Sequence, residues 1–92
     1  MNHYIIIKFK EDSEKEILIK EVSDLFDKAS SIEGIRKVEV FTNSIKKPNR
    51  FDMMIKMSMN KKTLKDFEDS EIYHEFEKKY KDSILSKTIF DC

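Results

Sequence analysis

The sequence predicts an α+β domain of element order βαββαβ, with a four-stranded antiparallel sheet and both helical segments on one of its faces. Three observations predict it. Apolar residues spaced by four, three, one and three mark a long amphipathic helix. Four blocks are either β-branched and aromatic or strictly alternating, as strands are. Charged or polar stretches separate each block from the next. At 92 residues the chain has room for one domain and one core, spanning 1–92.

The elements follow in order. Residues 3–9 (HYIIIKF) read as a mostly buried strand. Ser13 followed by Glu16 has the spacing of a capping box, and Leu18, Val22, Leu25, Phe26 and Ala29 then form one stripe of a helix over 14–30. Gly34, the only glycine, follows the helix where a left-handed or tight connection is needed. Residues 35–42 (IRKVEVFT) read as the second strand, and 43–49, with the only proline, as a loop too long for a tight hairpin. In 51–59 (FDMMIKMSM), Met53, Ile55, Met57 and Met59 face one way, and Asp52, Met54, Lys56 and Ser58 the other. Asn60 is placed to cap a short helix carrying Leu64 and Phe67. Asp69 or Ser70 is placed to cap another carrying Ile72, Tyr73, Phe76 and Tyr80. Residues 85–91 (LSKTIFD) complete the sheet.

This arrangement leaves one sheet face without helices. Yet both faces of the first and third strands carry apolar groups: Tyr4 and Ile6 lie opposite Ile5, Ile7 and Phe9, and Met54 lies opposite Met53, Ile55 and Met57. A monomer rarely exposes such a patch, so pairing of two copies through their sheet faces is expected.

Composition excludes several function classes. Lys+Arg and Asp+Glu both number 18. The cationic surplus that a nucleic-acid binder or a polybasic membrane anchor needs is missing, so neither partner is expected. Phe9, Phe41 and Phe51 lack the Lys/Arg-Gly-aromatic signature of an RNA-binding sheet. The one cysteine, Cys92, has no intrachain partner, which fits a reducing compartment. The apolar run in 4–7 is too short for a signal peptide or spanning helix, and a cytoplasmic location is expected. With one glycine there is no phosphate loop, and two histidines without clustered cysteine or carboxylate ligands make no metal site. No cofactor is called for.

His3-Tyr4-Ile5-Ile6-Ile7-Lys8-Phe9-Lys10 resembles the opening of the stress-responsive A/B barrel domain (Dabb) proteins. So do Ser31–Val40 at the helix exit into the second strand, Leu64–Phe67 followed by Ile72–Phe76, and the ending Thr88–Asp91. The resemblance spans nearly the whole chain. It implies a ferredoxin-like fold whose sheets pair into a dimeric α/β barrel. Some plant members are stress proteins, and one plant branch cyclises polyketides by an intramolecular aldol condensation. That branch uses a base histidine on the short second helix, an earlier tyrosine and a bordering strand-one histidine. Carried over residue by residue, the strand-one histidine is His3, the tyrosine position is Phe67 and the base position is Tyr73, with His74 one residue later. The His-Pro usual in that segment is Ser70-Glu71 here.

The catalytic candidates are therefore His3, Tyr73 and His74. Imidazole is the natural general base near neutral pH. His3 reads either as facing a pocket or as a hydrogen-bonded residue at the domain edge. Tyr73 and His74 point about 100° apart on a helix, so a pocket facing one leaves the other on the surface. Tyr73 also reads as an amphipathic core residue. The resemblance implies a homodimer that binds a small apolar or aromatic molecule in a cleft between sheet and helices, lined by Ile5, Ile7, Leu25, Phe67 and Phe76. An enzyme built this way would be cofactor-free, cyclase-like or monooxygenase-like. The alternative is a non-catalytic structural or stress-associated dimer module. The methionine run at 53–59 reads as core or dimer interface rather than as an adaptable ligand site.

Overall fold

The computed structural model describes residues 1–92. Strands β1 (Asn2–Phe9), β2 (Ile35–Thr42), β3 (Met53–Met59) and β4 (Ile84–Asp91) form one antiparallel sheet in the order β2-β3-β1-β4. Helix α1 (Lys15–Asp27) continues as a 3-10 turn over Lys28–Ser31. Helices α2 (Thr63–Glu68) and α3 (Glu71–Tyr80) fill the second crossover, with a 3-10 turn at Lys81–Ser83 before β4. The expected element order and the shared helix face are both present.

Alternation places the core. His3, Ile5, Ile7 and Phe9 on β1 and Met53, Ile55, Met57 and Met59 on β3 are all buried beneath the helices. Val22, Leu25, Phe26 and Ala29 descend from α1 and its 3-10 extension, and Phe67, Phe76 and Tyr80 from α2 and α3. Three buried methionines thus fill core volume, where their unbranched chains adapt to neighbours.

Two expected helix starts are built differently. Ser13 does not cap α1; its hydroxyl donates back to the Lys10 carbonyl, and Glu14 occupies the cap position without a side-chain bond. Nor does Asn60 cap α2, because its side-chain oxygen accepts from Arg36 Nη1 at 3.2 Å and Lys62 stands at the cap. Ser70 does cap α3, accepting from the Tyr73 backbone N–H at 3.2 Å.

Gly34 has φ +97°, in a turn closed by the Ile35 N–H to the Ile32 carbonyl at 3.1 Å. Just beyond it, β2 bulges between Ile35 and Lys37. The bulge lets Ile35 and Val38, three apart, both face the core. A second bulge sets Phe9 opposite Ile84 while Lys8 pairs with Ser86, leaving Leu85 without a partner and 59% exposed.

Tyr80 ties α3 to α1, its hydroxyl donating to Glu21 at 3.0 Å. Burial first, and the bond to Glu21 second, push the phenol up to about 12 from an ordinary 10.0. The folded state therefore keeps this proton after the unfolded chain has lost it. The resulting stability is intact below pH 10 and is lost as pH rises from 10.0 through about 12. Urea midpoints measured across that window are expected to fall by the equivalent of roughly 2–3 kcal/mol, and Tyr80→Phe is expected to flatten the slope.

The face turned away from the helices follows from the register. Phe41, Met54, Ile6 and Thr88 lie in one row across the sheet, and Glu39, Lys56, Tyr4 and Phe90 in the next. Tyr4 and Phe90 pack edge to face with centroids 6.4 Å apart. Phe41 and Phe90 are 44% and 58% exposed.

Candidate functional site

The last strand runs beside the first, and its register sets the chemistry. His3 pairs with Asp91, Ile5 with Ile89 and Ile7 with Lys87, so Asp91, Ile89 and Lys87 share the helix-side face of the β4 edge. His3 is buried, and its Nδ1 meets Asp91 Oδ1 at 2.5 Å. A carboxylate accepts hydrogen bonds, so Nδ1 is the donor of this pair, and in the neutral imidazole that tautomer leaves the lone pair on Nε2. Nε2 has no partner within the chain. The side chain as a whole is 4% exposed.

Tyr73 arrives from the other side. The Ser70 cap fixes the first turn of α3 and turns the Tyr73 ring against Phe67, centroids 5.2 Å apart. Phe67 in turn meets the His3 ring edge-on at 5.8 Å. The Tyr73 hydroxyl accepts from Lys87 Nζ at 2.9 Å, and Lys87 also lies 3.7 Å from Glu77. Ile89 sits on β4 between Lys87 and Asp91 and is 41% exposed, because no helix covers this edge of the sheet. The result is a strip with an apolar floor, a histidine–aspartate pair at one end and a lysine-bonded phenol at the other. Such a strip could take a proton at Nε2 and orient an oxygen at Lys87 and Tyr73. No group of three His, Cys, Asp or Glu side chains is placed to hold a metal ion.

His3 and Tyr73 thus lie on one aromatic ladder, separated by Phe67. His74 does not join them: it is exposed on α3, one residue round the helix. Ile5, Ile7, Leu25, Phe67 and Phe76, expected from the sequence to line a cleft, instead interlock in the core at 0–5% exposure. An 830 Å³ cavity lies elsewhere, at the opposite end of the sheet, and none of the five lines it. Asp91 and Lys87 are the site residues that sequence reasoning missed. Their signal was the alternation of 87, 89 and 91 on the final strand, which acquires meaning only once β4 is registered against β1.

No sequence-family model matches the chain, and no curated protein matches it. Solved structures do. A dimeric protein of unknown function from Bacteroides fragilis superposes with a TM-score of 0.85 over 99% of this chain and 92% of that one, at 18% identity. The fold is ferredoxin-like. A Dabb family protein with a ferredoxin-like fold from Mesorhizobium loti matches with a TM-score of 0.73 at 15% identity, covering 99% of this chain and 92% of its own. The hydroxynitrile lyase of Passiflora edulis matches at 0.75 and 14% identity, covering 97% and 87%. A Dabb family protein is thus among the structures that share this ferredoxin-like fold. No helix in this chain is long and apolar enough to cross a membrane.

Proposed function

We propose that this chain is a Dabb-type protein that pairs with a second copy through the helix-free sheet face and binds a small apolar or aromatic molecule over the β4 strip, with His3 as its general base. The observation that carries the chemistry is the His3–Asp91 pair: Nδ1 is held by the carboxylate while Nε2 has no partner within the chain. This orienting arrangement makes a base of an imidazole. Tyr73 and Lys87 offer donors 2.9 Å apart at the far end of Ile89, suited to a carbonyl or phenolic oxygen. Pairing is supported by the exposed Phe41 and Phe90 around Tyr4, Ile6 and Met54, and by dimeric structures among those that share the fold. The lone Cys92 suits a reducing, cytoplasmic setting.

A thermal-shift screen against alkylphenols and aromatic acids, at fixed protein concentration, tests the reading. A ligand at 100 times its Kd is expected to add about 2.7 kcal/mol of stability. That gain should shrink in Asp91→Asn and in His3→Gln, a replacement that keeps volume in a buried position. Where a compound is turned over, either variant is expected to slow it by about 10²- to 10⁴-fold. Stabilisation that is unchanged in both variants would remove His3 from the site.

A second reading, a non-catalytic dimer module, draws on one observation. The residues expected to line a cleft are packed as core, among Met53, Met57 and Met59. A screen in which no compound raises stability favours it.

A further inference from the structure

The 830 Å³ cavity lies at the Phe9 end of β1, between the start of α1, the β2–β3 loop and the start of β4. His3 and Lys8 are five residues apart on an extended strand, about 17 Å, so this cavity is separate from the β4 strip. Lys8, Lys15, Lys46, Lys47 and Arg50 line it against Glu11, Glu16 and Asp52, five cations to three anions in a chain whose charges balance overall.

The cations are not equally free. Lys15 bonds Glu11 at 3.1 Å and approaches Asp52 at 3.5 Å, and the Glu11 bond, with Asp52 adding to it, holds the ammonium above the ordinary lysine range. Asp52 is further engaged by the Phe9 N–H at 2.8 Å, and Lys8 donates to the Pro48 carbonyl. Arg50 meets only the neutral side chain of Asn49, at 2.6 Å. Lys46 and Lys47 have no side-chain partner. Uncompensated charge is thus concentrated on the loop.

Apolar residues supply the remaining wall: Ile19 from α1, Phe51 from the loop, and Ile45 and Leu85, which are 48% and 59% exposed. Leu85 is the residue that the β4 bulge leaves unpaired, and bulges commonly re-aim a side chain next to a binding site. The volume falls in the range of small-molecule sites.

We propose that this cavity binds an amphipathic monoanion, its carboxylate held by Lys46, Lys47 and Arg50 and its hydrocarbon resting on Ile19, Ile45, Phe51 and Leu85. A single negative charge suits the site, because Glu16 stands in the same wall and opposes a second one. This inference is independent of the β4 strip and does not rest on catalysis there.

Titration of the ¹⁵N-labelled chain with decanoate, 1-decanol and inorganic phosphate tests it, read by amide shifts. Decanoate is expected to saturate, moving the amides of Lys46, Lys47, Phe51 and Leu85 while leaving those of His3 and Asp91 in place. Decanol and phosphate, each carrying half of the recognised chemistry, are expected to bind at least tenfold more weakly. The exposed-site variants Lys46→Glu/Lys47→Glu and Leu85→Ser should each weaken decanoate about tenfold or more. Binding of decanol as tight as decanoate, shifts centred on His3, indifference to both variants, or no saturation at millimolar decanoate would each overturn the proposal.

Discussion

Replacing Phe67 with alanine is expected to cost about 3–5 kcal/mol, the range for removing a buried aromatic ring from a core. Phe67 is wholly buried and bridges three rings: His3 at 5.8 Å, Tyr73 at 5.2 Å and Phe26 at 6.1 Å. Its loss forfeits transfer energy and leaves a hole among these rings. A chain of 92 residues has a total stability of about 5–14 kcal/mol, so the variant should be marginal. Urea unfolding at fixed protein concentration checks this, as a fall in midpoint with the slope unchanged. Phe67→Leu keeps most of the volume and should lose about 1.5 kcal/mol or less. A loss under about 1 kcal/mol for alanine would mean that the ring is not the keystone its contacts indicate.

Gly34→Ala is expected to be nearly as damaging, for two separable reasons. The backbone there has φ +97°, outside the conformations that residues with a Cβ readily adopt. An added Cβ would also stand only 2.3 Å from Thr63 Oγ1 and 2.9 Å from Thr63 Cγ2, on a residue buried at the start of α2. Dihedral cost of about 1–3 kcal/mol and overpacking of about 1–3 kcal/mol together predict a loss of several kcal/mol. A double-mutant cycle separates them. In a Thr63→Gly background the steric part should vanish and the backbone part remain. An equal penalty in both backgrounds would show that Thr63 plays no part.

The fold was largely legible because it is written in local patterns. The Ile5/Ile7/Phe9 and Met53/Ile55/Met57/Met59 alternations assigned core and outer faces correctly, and the only glycine marked the only positive φ. Capping was less legible. Ser13 and Asn60 have the right chemistry, but the Ser13 hydroxyl is turned back to donate to the Lys10 carbonyl and the Asn60 oxygen accepts from Arg36, a matter of loop path that spacing does not encode. The site divides the same way. His3 was visible as a polar residue on a buried strand. Asp91 was not, because its partnership spans 88 residues and depends on the register of β4 against β1. The pocket-lining set was legible only in part: periodicity shows that Leu25, Phe67 and Phe76 face inward, as they do, but not whether the interior is full.

Everything proposed for the helix-free face depends on its being covered. Phe41 and Phe90, 44% and 58% exposed, flank Tyr4, Ile6 and Met54 in a patch that a second copy would bury. Sedimentation equilibrium at micromolar concentration tests this most directly. A species of twice 11.0 kDa is expected, shifted to 11.0 kDa in a Phe41→Lys/Phe90→Lys variant that retains its far-ultraviolet spectrum. A wild-type chain found only at 11.0 kDa would contradict it.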